Sequence, residues 1–134
     1  MASRKIKEIN IAPFEDRKLD HAFTMIPEAV GSNPDKDTID KVIEDFIFDF
    51  DTYFRYQEQL MTDIPYRMLV LHSHDHGRIM DLLSSLRYAN MVEIMSWDEV
   101  RRVIRDSYQR HREHFDDVFA DYVRLRKALS RQKT

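Results

Sequence analysis

Residues 69–90 read LVLHSHDHGRIMDLLSSLRYAN. Leu69, His72, His76, Ile79, Leu83 and Leu86 recur at alternating intervals of three and four, the spacing that lines side chains along one stripe of an α-helix. His72 and His76 therefore project from one face, about one turn apart, at positions where the seam otherwise holds Leu or Ile. An imidazole that faces a helical core is costly unless something satisfies its ring nitrogens. His74 lies about 200° from His72 around the helix and belongs to the surface.

The same periodicity extends to both sides. Residues 35–63 place Ile39, Ile43, Phe46, Phe50, Tyr53, Gln57 and Leu60 on one stripe, and residues 97–130 place Val100, Ile104, Ser107, His111, Phe115, Val118, Tyr122, Leu125 and Leu129. A shorter, less regular stripe of Leu19, Phe23, Ile26 and Val30 marks a first helix over 16–31, which Pro27 kinks or ends early. Three breaks separate the four segments. Gly31-Ser32-Asn33-Pro34 is a turn; Asp63-Ile64-Pro65 opens the third helix, with Pro65 near its first position; Asn90 to Ser96 ends in Ser96-Trp97-Asp98-Glu99, the signature of a capping box. Four helices joined by short loops predict an all-α, up-down-up-down four-helix bundle. One domain over 1–134 accounts for the whole chain, with a short arm at 1–15 and a basic tail at 126–134.

Composition narrows the function. The chain has 134 residues, 43% hydrophobic and 34% charged, a globular balance. It contains only two Gly, too few for a sandwich, a barrel or a phosphate-cradling loop, and no Cys, which excludes disulfides, thiolate metal sites and thiol nucleophiles. A net charge of −3 lies too close to neutral for a general nucleic-acid binder. The longest apolar run, Met68 to Leu71, is far short of the roughly 20 residues of a membrane span, and the first ten residues lack the apolar core of a signal peptide. These features lead us to expect a cytoplasmic protein that binds neither membrane nor nucleic acid. Residues 35–63 carry an acidic excess and 97–134 a basic one, including Arg101, Arg102, Arg105, Arg110 and Arg112; solvated helix faces explain this, and a protein partner is the alternative. No Ser or Thr sits in a glycine elbow, so nucleophilic hydrolysis has no support.

The polar interruptions of the seams carry the chemistry. His111 replaces a hydrophobe as His72 and His76 do, and Asp116, five residues further on, reaches the same centre from the next turn. A metal would satisfy three imidazoles facing one core, and bundle cores are where such sites are built. Histidine and carboxylate without cysteine favour iron, manganese or zinc over copper(I) or a cluster. His114 falls at the rim of the seam, and Glu58 lies about 100° off it.

These residues resemble the hemerythrin family, especially its bacterial members. The family pattern is a lone His in the first helix; a His, a Glu four residues on and a Met in the second; a proline turn; a pair H-x-x-x-H; and a last His followed five residues later by Asp. This chain offers His21, then Tyr53-x-x-x-Gln57 with Glu58 and Met61, then Pro65, His72-x-x-x-His76, and His111 with Asp116. The resemblance implies two non-haem irons in the bundle core. His72, His76, His111 and Asp116 would hold the first, and His21 would serve the second. Tyr53 stands where the family has its second-helix His, and Gln57 where it has its bridging Glu. Three sites follow: an iron pair with Tyr53 as phenolate and Glu58 or solvent as the bridge; one metal in a three-His, one-Asp pocket; or a metal-free core in which Tyr53 and Gln57 hydrogen-bond the histidines. The expected function is O2 binding, O2 sensing or redox handling, with O2, another diatomic or a peroxide as the ligand. The alternatives are an oxidase or peroxidase at mono- or dinuclear iron, and a metal-poor interaction or signalling bundle.

Overall fold

The computed structural model describes residues 31, 33–64 and 66–132. Within them the chain is all-helical. α1 spans Lys36–Thr62, α2 spans Leu69–Met91 and α3 spans Trp97–His111; a π-helical turn over Arg112–Asp116 leads without a break into α4, Asp117–Gln132. The elements thus form three rods. The expected first helix over 16–31, and with it His21, lies outside the described residues, as does Pro65.

Local chemistry sets most of the boundaries. The Asp35 side chain accepts a hydrogen bond from the Thr38 backbone N–H and caps α1. The capping box at α3 forms as the sequence predicts, with Ser96 and Glu99 exchanging side-chain and backbone hydrogen bonds of 3.1 Å. α2 starts only at Leu69, after a turn, and its N-cap Met68 makes no side-chain hydrogen bond. α2 ends in a Schellman-type cap: Ile94 N–H donates to the Ala89 carbonyl and Glu93 N–H to that of Asn90, with Glu93 at φ 59°.

Cross-rod contacts fix the arrangement. Arg87 near the end of α2 pairs with Asp40 near the start of α1 at 2.9 and 3.3 Å, and Asn90 donates to the Lys36 carbonyl. Ser73 at the other end of α2 donates to Glu58 of α1. α1 and α2 are therefore antiparallel. His76 and His72 of α2 meet His111 and Asp116, which makes α2 antiparallel to the third rod as well. Phe50 packs on Tyr108 and Phe54 on His111, so the third rod runs parallel to α1.

Two apolar clusters form the core. The larger joins Ile39, Ile43, Phe46, Phe50 and Phe54 to Ile79, Leu83, Leu86, Val100, Ile104 and Tyr108. The smaller joins Met61, Ile64 and Tyr66 to Phe119, Ala120 and Val123. The polar residues His72, His76, His111, Asp116 and Gln57 are buried in a layer between the two.

The α2 stripe forms as expected, except that Leu69 is only half-buried. The other two stripes need correction. In α1 the buried positions are Ile39, Ile43, Phe46, Phe50, Phe54, Gln57 and Met61, so Phe54 and Met61 take the places expected for Tyr53 and Leu60. In the third rod Tyr108 replaces Ser107, Asp116 rather than Phe115 is buried, Phe119 and Val123 replace Val118 and Tyr122, and Leu125 and Leu129 are exposed. The cause is the period. A strict alternation of three and four averages 3.5 residues, whereas a straight helix drifts about 20° per heptad from that repeat. α1 repeats instead at eleven, from Ile39 to Phe50 to Met61, and α3 does the same from Trp97 to Tyr108. The π turn then adds one more residue to the register.

Candidate metal centre

Three rods meet at this layer. α2 supplies His72 and His76 one turn apart, α3 supplies His111 as its last residue, and the π turn supplies Asp116 as its last. On a regular α-helix, residues five apart are offset by about 140°. The i→i+5 bonding of a π turn closes that offset, which brings His111 and Asp116 onto one face.

The four side chains are buried, and each offers a ligand atom within 4.8 Å of the others. The imidazole centroids form a near-equilateral triangle with edges of 4.6, 4.7 and 4.9 Å. Asp116 Oδ1 lies 3.0 Å from both His72 Nε2 and His111 Nε2. His76 Nε2 lies 3.0 Å from Gln57 Oε1. Three ring nitrogens, a carboxylate and an amide oxygen thus converge. Phe54 stacks on His76 at 3.9 Å, and Phe115 stacks on His111 at 5.4 Å, so the walls are aromatic.

The outer edges of two of the rings meet carboxylates. His111 Nδ1 lies 2.6 Å from Asp75 Oδ2, and Arg78 Nε donates to Asp75 Oδ1 at 2.7 Å. His76 Nδ1 faces Glu58 Oε2 at 3.5 Å, while the other Glu58 oxygen accepts from the Ser73 hydroxyl. With its Nδ1 proton donated to Asp75, a neutral His111 turns the Nε2 lone pair towards Asp116. That atom and both Asp116 oxygens have no aligned hydrogen-bond partner among the described residues. They are close but point past one another, as ligands sharing a cation do. Leaving buried acceptors so placed costs on the order of 1–3 kcal/mol each.

The electrostatics agree. Burial, reinforced by the neighbouring His111, pushes His76 down to about 2 and holds it neutral. Burial also lowers His72, against the pull of Asp116. For His111 burial is outweighed by the adjacent carboxylates Asp116 and Asp75, and the net direction is upward. Burial would raise Asp116, but His111 and His72 take it down to about 2. The layer thus holds an ionised carboxylate and two imidazoles kept in the neutral, metal-binding form.

Of the sequence-predicted residues, the structure brings together His72, His76, His111 and Asp116, with Gln57 at their edge. It does not bring in Tyr53, which is half-buried and packs against the larger apolar cluster, 6.5 Å from Phe54 between ring centroids. Glu58 sits behind His76, on the side away from Gln57, and so does not occupy a bridging position. His74 and His114 are exposed, as expected of surface and rim positions. The sequence reading missed Phe54 and Asp75. The first was hidden by the assumed period. The second stands between His72 and His76 in H-x-x-D-H, where an acidic residue passes for surface charge.

No helix among the described residues is long and apolar enough to cross a membrane. Comparison of the chain with protein-family models, with curated proteins and with solved structures returns no match.

Proposed function

We propose that this chain is a metal-binding helical bundle that holds one first-row transition ion, iron foremost, and presents open coordination positions to O2 or a peroxide. The observation that carries the reading is the convergence of four buried ligand atoms, one an ionised carboxylate, within 4.8 Å of one another. Two or three imidazoles with one carboxylate and no thiolate suit iron(II), with zinc and manganese as competitors. Iron is the redox-active ion of the three that commonly takes O2 at such a ligand set. One ion rather than two is favoured because α1 offers the apolar Phe54 at the depth of His76, and its nearest polar group is a neutral amide, which bridges two cations poorly. The four-helix arrangement, with residues 16–31 as the remaining helix, belongs to the same proposal and rests on the periodicity of Leu19, Phe23, Ile26 and Val30.

The test is metal content per chain in protein produced with iron, together with a visible spectrum recorded in air and after reduction. One iron per chain is expected, lost in a His111→Ala variant that still gives a helical circular dichroism spectrum. Two irons per chain would overturn the single-ion reading. A folded, colourless protein that takes up no metal and melts identically in chelator would overturn the metal reading itself.

A further inference from the structure

Asp75 lies on α2 between two of the metal-facing histidines, yet it serves neither of them. Its Oδ2 reaches across to His111 Nδ1 on the third rod at 2.6 Å, and its Oδ1 is held by Arg78 Nε at 2.7 Å. Only 11% of the Asp75 side chain is exposed, and His111 is fully buried. We infer that Asp75 is the positioning residue for His111: it fixes which ring nitrogen carries the proton and how the ring is turned, with Arg78 as its outer anchor. The inference rests on the metal reading proposed above.

The chemistry is specific. A neutral imidazole has one N–H and one lone pair. A carboxylate at Nδ1 takes the N–H on that side, so the lone pair falls on Nε2, the atom 3.0 Å from Asp116. Without Asp75 the proton is free to move to Nε2, where it would donate to Asp116 and block the ligand position. A histidine that ligates a metal commonly gives its second N–H to a carboxylate, which also raises its basicity as a ligand. Arg78 prevents the carboxylate from rotating away, because it occupies the second oxygen. The residue has an architectural reach as well: it ties α2 to the end of α3, one residue before the π turn begins.

Of the other two ligating rings, His76 has a looser counterpart. Glu58 stands 3.5 Å from its Nδ1 and is itself 32% exposed. Asp75 is nearer and better buried, so His111 is the most firmly oriented of the described ligands with a carboxylate behind them.

The experiment uses Asp75→Leu and, in case that variant folds poorly, the isosteric Asp75→Asn, each checked by circular dichroism. Nitrogen NMR of the metal-free protein at about pH 9, where an ordinary histidine is neutral, reads the proton position on His111. Titration with cobalt(II) reads affinity and coordination from its visible bands. The wild type is expected to carry the His111 proton on Nδ1; Asp75→Leu is expected to move it to Nε2, weaken cobalt binding about 10–100-fold and shift the bands. Arg78→Gln is expected to give a smaller loss of the same kind. A wild-type proton on Nε2, or variants with unchanged tautomer and affinity, would overturn the positioning role while leaving the metal reading intact. A wild type with the proton on Nδ1 that binds no cobalt would instead overturn the metal reading, and with it any role of Asp75 towards a metal.

Discussion

Replacing His76 and Gln57 together by leucine should have opposite effects with and without metal. The two side chains are buried, and their mutual contact, 3.0 Å from His76 Nε2 to Gln57 Oε1, is the only hydrogen bond the Gln57 side chain makes among the described residues. His76→Leu alone strands that amide, at a cost of about 1–3 kcal/mol. The double variant removes both polar groups, and such paired replacement is usually neutral or stabilising by about 1 kcal/mol or more. The stacking of His76 on Phe54, worth about 1 kcal/mol, is given up in both. The metal-free double variant should therefore be at least as stable as His76→Leu, and close to wild type. Metal at about 100 times its Kd stabilises the wild type by about 2.7 kcal/mol. For 134 residues, an unfolding entropy of about 2.1 cal/mol/K per residue converts this to roughly 10 °C in Tm. Neither variant should show that shift, because a ligand is gone. Thermal unfolding followed by circular dichroism, in chelator and with iron(II) or zinc, measures all of it. A double variant that keeps the metal-dependent shift, or that in chelator melts well below His76→Leu, would contradict this assignment.

Three further outcomes follow from the same contacts. Between about pH 6.5 and 4.5 the unfolded chain protonates His72, His76 and His111, whereas the fold keeps His76 (at about 2) from doing so, disfavours the proton on His72 and favours it on His111; the unfolded state therefore binds about one to two more protons, and metal-free stability should fall by roughly 1–3 kcal/mol per pH unit on acidification, with a further loss below about pH 4 as the lowered Asp116 and Asp75 are protonated; flat urea midpoints over this range would contradict it. Glu93→Gly should raise stability by about 0.5–1 kcal/mol in urea titration, because Glu93 holds φ 59° in a helix cap that favours glycine, and a lower midpoint would contradict the strain. Deleting the exposed Glu113 should convert the π turn to regular helix and leave Asp116 four residues, about 40°, from His111, so metal-free stability should be unchanged or higher and cobalt(II) binding retained; loss of binding would show that the π geometry itself serves the site.

Much of the arrangement was legible in the sequence because the chemistry involved is local. The Ser96–Glu99 box, the breaks around Gly31 and Asp63, and the placement of His72 and His76 within a Leu/Ile seam all depend on residues within one or two turns of one another. The pairing of those histidines with His111 and Asp116 was legible for a different reason: polar residues on apolar stripes have few places to go but the same buried layer. What the sequence concealed depends on accumulated phase. Along α1 from Ile39 to Met61, a seam read at 3.5 residues per turn drifts far enough to put Tyr53 where Phe54 stands, and so to offer a phenol where the site has an aromatic wall. Nothing in the run Arg112–Asp116 announces a π turn by propensity. Asp75 was invisible because its partner lies on another rod, 36 residues away.

The π turn sets the register of the polar layer and of the smaller apolar cluster together. Had residues 111–123 been a regular helix, Asp116 would lie about 140° from His111, Phe119 about 80° and Val123 about 120°, and neither the carboxylate nor the smaller apolar cluster would face α1 and α2. Inserting one residue restores all three at once. A helix with one residue fewer would place the carboxylate and the apolar side chains on the same face without the irregularity. The same register that returns the apolar cluster brings Asp116 to two histidines at 3.0 Å each, in a layer where an ionised carboxylate is otherwise a liability. Such a layer lowers the stability of the metal-free protein, separates the core into two clusters and holds buried acceptors face to face. A bound cation offsets the first and the last of these penalties, and this is the physical ground on which the metal-binding reading rests.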